Sequence, residues 1–295
     1  MLIKINYINY LTILIKWIIL VLLIIIAVFP VFWTISLSLR PNNETLARNP
    51  TYLPIEWTFE NYLMVFGIDV NTDRTQTMPF EALMNYITNG SIVAIIVTFI
   101  ACFLSLLAGY SFSRYNFPGK RFLLMSILNT QMFPFMAIIL PIYVLYYKMG
   151  FINTYHGLII AELGLVLPFS IWMMKGYCDT ISIELEDAAY IEINSRLRVL
   201  LYIVVPLIIP GFVAVSMFCF LLSWNHLLYV MLLATDDNTI MTVPLGIMTR
   251  YAGSYSYTYG LLSAGIVITT APIVVLFLWL QKYFIAGLTS GSIKG

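Results

Sequence analysis

The stretch Ser182–Gly211, SIELEDAAYIEINSRLRVLLYIVVPLIIPG, decides how this chain is read. Its first half is a charged, Ala-containing helix and its second half opens a long apolar segment; another apolar segment, residues 155–177, lies just before it. Glu184, Glu186 and Asp187 make the first half too polar for hydrocarbon. It is also far too short to be a domain. Two readings fit the residues. One is a docking element held at a membrane surface for a soluble partner, which would place the energy source in another polypeptide. The other is an ordinary interfacial loop whose charges stay in water.

The local signals are specific. Ser182 is the expected N-cap, because its hydroxyl can accept from a free backbone N–H. The carboxylates that follow suit the positive end of the helix dipole. Ala188 and Ala189 allow another backbone to come close. A break is expected near Ile193–Asn194, since Asn tolerates the left-handed conformation. Ser195 is placed to cap the next helix, with Arg196 and Arg198 at the membrane edge. Pro206 and Pro210 should bend the segment that follows.

Composition makes lipid the main solvent of the chain. Of 295 residues, 61% are hydrophobic and 10% charged, where a soluble domain carries about 25% charge. The mean hydropathy is +0.90. A net charge of +1 argues against a nucleic-acid partner. Cys102, Cys178 and Cys219 are far apart and lack metal-ligand or redox-pair spacing. With only His156 and His226 beside them, no metal site is expected. The chain has no nucleophile elbow and no GxxxxGK[ST] loop, so no catalytic residue is assigned and ATP hydrolysis by that route is excluded.

Six segments are long and apolar enough to span: residues 14–39, 87–113, 122–147, 155–177, 199–233 and 259–286. Within the first, the run from Trp17 to about Leu39 follows Lys4 and Lys16 like a signal sequence, but it is too long and lacks a cleavage site, so it reads as a retained helix. The fourth is interrupted by Glu162 and Pro168, and the overlong fifth suits a tilted or broken helix. With the N-terminus inside, Lys4, Lys16, Arg114, Lys120, Arg121, Lys175, Arg196, Arg198, Lys282 and Lys294 lie inside. Arg40, Arg48, Arg74, Lys148 and Arg250 then lie outside. That asymmetry makes both termini cytoplasmic. Two outer segments, about 41–84 and 235–257, are either platforms for an extracellular partner or plain solvated connections. One membrane domain, residues 1–295, is the expected count.

The run Glu184-Leu185-Glu186-Asp187-Ala188-Ala189, followed by Glu192-Ile193-Asn194-Ser195 and then Pro206-Leu207 and Pro210-Gly211, resembles the coupling motif of ABC-importer permease subunits. TFENY at Thr58–Tyr62, AGYSFSRYNFPGKR at Ala108–Arg121, SWNHLLYVMLL at Ser223–Leu233 and the C-terminal QKYFIAGLTSGSIKG are similar to the carbohydrate (maltose-type) branch. The resemblance covers nearly all of the chain after residue 30. It implies an all-α membrane protein with six transmembrane helices of the type I ABC importer permease fold. A cytoplasmic coupling helix, about 183–194, would lie between helices 4 and 5. It implies import of a sugar or oligosaccharide across a bacterial plasma membrane by alternating access, in a heterodimer with a second permease subunit. Two cytoplasmic ATPase subunits would bind the ATP and Mg, with no cofactor bound by this chain. An extracytoplasmic solute-binding protein would deliver the cargo, and membrane lipid would surround the spans.

The same resemblance assigns ATPase coupling to Glu184, Asp187, Ala188, Ala189, Glu192, Asn194 and Ser195. It assigns an ATPase-interface role to Thr289, Ser290, Gly291 and Ser292 in the tail 287–295, for which a frayed terminus is the alternative. Asp187 stands where the family has Glu, Glu192 where it has Asp, and Ile193 and Asn194 where it has Gly and Ala. A β-branched residue resists positive φ. Either the turn is made at Asn194 or the ATPase cleft is differently shaped. Polar groups at membrane depth mark a candidate pathway. Glu162 either meets substrate hydroxyls, pairs with another subunit or lines a vestibule, or it sits partly solvated near the outer interface. Trp224, Asn225 and His226 offer the ring and amide groups that suit a sugar. Another cargo, a polyol or glycerol phosphate, and a non-transporting scaffold or sensor subunit are the rival readings.

Overall fold

A computed structural model of the chain describes residues 7–45, 47, 49, 51–68, 80–235, 240–251 and 259–290. Among these, all regular structure is helical. The main helices are α1 (Tyr7–Ser38), α2 (Phe80–Arg114), α3 (Lys120–Asn129), α4 (Phe135–Lys148), α5 (Tyr155–Asp179), α6 (Ile183–Ile193), α7 (Ile209–Trp224), α8 (Leu228–Leu233), α9 (Val243–Tyr251) and α10 (Tyr259–Ser290). Four helices, α1, α2, α5 and α10, are each long and apolar enough to cross a membrane. Two bent pairs raise the number to six if each pair is one span.

The six apolar segments of the sequence therefore reappear, with differences. The third, 122–147, is not continuous: the chain leaves the helix at Phe133 and Pro134, whose ψ values of 126° and 119° are extended. The fourth, which Glu162 and Pro168 interrupt in the sequence, is one unbroken helix of 25 residues. The fifth is broken as its prolines predict. Residues 196–207 and 209–224 meet at an 83° bend around Ile208, after a π-helical stretch at Leu200–Val204.

Contacts divide the chain into two compact units, residues 1–80 with 250–268 and residues 81–249 with 269–295. In the first, the apolar window of α1 is wholly exposed within this chain. An apolar window with none of its residues buried among the described residues of its own unit suits lipid or another polypeptide. Its C-terminal end is tied down by polar groups. Arg40, 1% exposed, donates to Ser36 Oγ at 3.0 Å and to the Thr51 carbonyl at 2.5 Å. Asn61 Nδ2 donates to the carbonyls of Ser38 and Arg40, and Ser38 Oγ pairs with Tyr62 Oη at 2.7 Å. The WTFENY segment is thereby folded back on the end of α1. Glu44 accepts from the backbone N–H groups of Ile55 and Glu56.

In the second unit α5 and α7 run antiparallel in contact along most of their length. Ser223 Oγ donates to Glu162 Oε2, Ser170 Oγ pairs with Cys219 Sγ at 3.0 Å, and Gly211 lies flat against the Tyr177 ring. The numbers fall along one helix as they rise along the other. From 162 to 177 the rungs span about 22 Å at 1.5 Å per residue. Gly211 is required there, because any Cβ would overlap the Tyr177 ring. Helix α2 also comes close to α5, where a Cβ on Gly109 would lie 2.8 Å from the Lys175 backbone nitrogen.

Candidate functional site

Helix α6 is the charged helix of the opening stretch, and it joins the two rung-connected helices α5 and α7. Its N-terminal turn carries Glu184 and Glu186. Ser182 occupies the N-cap position, with φ −63° and ψ 133°, but its hydroxyl makes no capping bond. What fixes the turn is Glu186, which is 1% exposed. Its Oε1 accepts from Arg114 Nε at 2.7 Å and from Arg114 Nη2 at 2.5 Å, and its Oε2 accepts from Tyr110 Oη at 3.0 Å. Such two-pronged, charge-assisted contacts are the strong kind.

Arg114 does more than hold Glu186. Its Nη2 also donates to the carbonyls of Cys178 and Ile181, at 2.8 and 2.9 Å. These carbonyls lie at the C-terminal end of α5, where a cation is favoured by the helix dipole. Ser113 Oγ donates to Asp179 Oδ1 at 2.5 Å, and Lys175 Nζ holds Asp179 Oδ2. The last turns of α2 and α5 and the first turn of α6 are thus one polar knot. Sequence reasoning missed Glu186 and Arg114 as its centre.

At the other end of α6 the turn is made at Asn194, with φ 49° and ψ 33°. Ile193 stays helical, so this β-branched residue is not asked to take a positive φ. The Asn194 N–H donates to the Tyr190 carbonyl at 2.8 Å. Ser195 then caps the following turn by accepting from the Arg198 N–H at 3.5 Å. Arg196 reaches back to Asp187 Oδ1 at 3.1 Å and stacks 4.2 Å from the Tyr190 ring.

With Glu186 turned inward, the opposite face of α6 is set by helical spacing. Glu184, Asp187, Ala188, Ile191 and Glu192 all lie exposed, at intervals of three and four residues that place them on one side. Ala189 lies half-buried on the other side. Ile191 is the member of this face that the sequence did not single out. It is 82% exposed, between carboxylates, on a helix held from behind by buried Glu186. Leu185, 48% exposed, flanks this face beside Glu192, and a surface that mixes acids with bare apolar side chains is suited to fit a protein cleft.

The remaining candidates are partly assembled. Glu162 is fully buried within the chain rather than partly solvated, takes the Ser223 hydroxyl on Oε2, and its Oε1 has no partner among the described residues. Trp224, 5% exposed, stacks on Phe220 with ring centres 5.7 Å apart. The exposed Asn225 amide donates to its own helix at Leu221, and His226 Nδ1 accepts from the Tyr229 N–H at 3.4 Å. Helix α10 carries Thr289 and Ser290 in its final turn. Gly291 and Ser292 lie outside the described residues.

Residues 101–290 match the family of binding-protein-dependent transport system inner membrane components. The chain is 31% identical over 272 residues to the trehalose/maltose transport system permease protein MalG of Thermococcus litoralis, covering 90% of this chain and 91% of that one. It is 29% identical over 267 residues to the inner membrane ABC transporter permease protein YcjP of Escherichia coli K12, covering 90% and 91%. Its fold is also that of a chain in the crystal structure of a bacterial ABC transporter involved in the import of the acidic polysaccharide alginate. There the TM-score is 0.73 at 18% identity, over 94% of this chain and 97% of that one.

Proposed function

The chain belongs to the family of binding-protein-dependent transport system inner membrane components, and on that premise we propose that it carries a sugar or oligosaccharide through the membrane by alternating access. It is a multi-pass membrane subunit with the type I ABC importer permease fold, and it is not itself catalytic. ATP hydrolysis belongs to a separate ATPase, and cargo comes from a solute-binding protein.

The observation that carries the mechanism is the exposed face of α6. Glu184, Asp187, Ala188, Ile191 and Glu192 form the docking surface for the ATPase, with Asn194 and Ser195 setting the turn that ends it. Ala189 packs behind them. ATP and Mg bind in the partner, whose closure moves α6. The Glu186–Arg114 knot transmits that movement to α2 and α5, and the rungs at Tyr177, Ser170 and Glu162 carry it along α5 and α7.

A second permease subunit completes the pathway. Both termini face the cytoplasm, α6 lies on that side, and Thr289–Ser292 reach toward the ATPase. Residues 41–84 and 235–257 meet the binding protein on the far side, in a single permease domain surrounded by lipid. Glu162, Trp224, Asn225 and His226 lie toward the cargo path near the far ends of α5 and α7. The spans hold few cations, which favours a neutral cargo.

Co-expression with a second permease and the ATPase tests this reading. In mild detergent the three components should elute together, and ATP hydrolysis should rise when loaded binding protein is added. Elution of this chain alone, with no stimulated hydrolysis, overturns it.

A further inference from the structure

Beside the last turn of α5 lies a cavity that the transport reading does not use. It measures about 840 Å3 and opens to the surface. It is walled by the 116–119 loop, by the first turns of α3 and by Lys175. Its lining is of two kinds. Lys120, Arg121, Lys175 and Asn116 supply polar lining, while Phe117, Leu124 and Met125 supply apolar wall. Lys175 is paired with Asp179 at 2.5 Å, and Lys120 has only a 3.4 Å contact to the Asn116 amide oxygen. Lys120 and Arg121 therefore have no counter-charge among the described residues.

The direction of α3 orders these groups by depth. Its Lys120 end lies at the C-terminal end of α5 by Lys175. Beyond its other end, the Gln131 amide donates to the Leu165 carbonyl, ten positions back along α5. Lys120 and Arg121 thus sit at the membrane edge. Leu124 and Met125 lie one turn deeper, about 5.4 Å along the helix. Phe122, 77% exposed, faces outward beside them. A cationic rim over an apolar wall at that depth matches an amphiphile with an anionic head and hydrocarbon tails. Free phosphate would leave the apolar wall unfilled, and a neutral lipid would leave the two cations unpaired.

We propose that this cavity binds an anionic phospholipid, with its phosphate on Lys120 and Arg121 and an acyl chain along Leu124 and Met125. The lipid would lie directly against Lys175, and so beside the Ser113–Asp179 end of the polar knot. It would thereby stiffen the anchor of α6 from the bilayer side. The inference concerns the bilayer and stands whatever the cargo is.

The test uses the purified complex in detergent, with melting temperature read after adding phosphatidylglycerol, phosphatidylcholine or inorganic phosphate. Phosphatidylglycerol should raise the melting temperature clearly above the phosphatidylcholine value. The excess should shrink with salt, as screening requires, and should vanish in the K120Q/R121Q variant. Inorganic phosphate alone should give no shift; an equal shift with phosphate makes the ligand a free anion and overturns the lipid assignment. Equal shifts with both lipids, or an undiminished excess in the variant, overturn the site. If the double variant does not assemble, native mass spectrometry of R121Q replaces it. Retained phosphatidylglycerol should fall relative to the parent complex, and unchanged retention is the contrary result.

Discussion

Glu186 and Glu162 are both carboxylates sealed inside the chain, 1% and 0% exposed, at opposite ends of the α5 hairpin. Their surroundings differ in kind. Glu186 takes two guanidinium donors and a phenol. Glu162 takes one hydroxyl and keeps an oxygen with no partner among the described residues. The first is an ion in a complete charge-assisted network, where burial strengthens the pair it isolates. The second is a rung between two helices with spare acceptor capacity. The Glu186 end of the α5–α7 pair is thus held by several charge-assisted contacts, and the Glu162 end by a single hydroxyl.

Three measurements probe that pair of helices and a fourth a carboxylate of the other unit, beginning with the largest effect. Glu186→Ala leaves the Arg114 charge buried without its counter-ion. It should destabilise the purified complex by about 3–5 kcal/mol, read as a large fall in melting temperature. Next, Gly211→Leu drives a side chain into the Tyr177 ring and should lose about 1–3 kcal/mol by overpacking. Glu162→Gln keeps an oxygen for Ser223 and should change stability by less than about 1 kcal/mol. If it matches Glu186→Gln in a parallel melt, the distinction between the two carboxylates is wrong.

The smallest effect is a pH response at Glu44, in the other unit. Burial raises its carboxyl, but the N–H groups of Ile55 and Glu56, the Arg40 charge and the Thr51 hydroxyl outweigh it and hold it below the usual carboxylate range. A group lowered on folding contributes fully above its unfolded value and loses that contribution as pH falls through its folded value. Amide exchange at Ile55 and Glu56, corrected for intrinsic rates, should therefore stay slow at neutral pH and quicken only below the ordinary carboxylate range. Glu44→Gln should remove the pH step.

Much of this was legible in the sequence, and the limits have physical causes. The apolar segments announced themselves because hydrocarbon tolerates little else over that length. The bend near Pro206 and Pro210 and the left-handed Asn194 followed from local backbone rules. The break at Phe133–Pro134 did not, because an apolar run reads as continuous whatever its geometry. Nor did Glu186: in the string Glu184-Leu185-Glu186-Asp187 three carboxylates look alike. Only a partner 72 positions away, Arg114, decides which one turns inward. Once Glu186 is inside, spacing alone names the outward face, and Ile191 with it.

That outward face is the central claim, and Asp187 tests it most directly. Asp187 is 56% exposed and its pairing with Arg196 is a surface contact, worth about 0.2–1 kcal/mol. Asp187→Lys should therefore leave the complex folded and inserted. In proteoliposomes with the ATPase and loaded binding protein, stimulated hydrolysis should fall to the basal rate. Stimulation equal to that of the parent complex would contradict the docking role of α6.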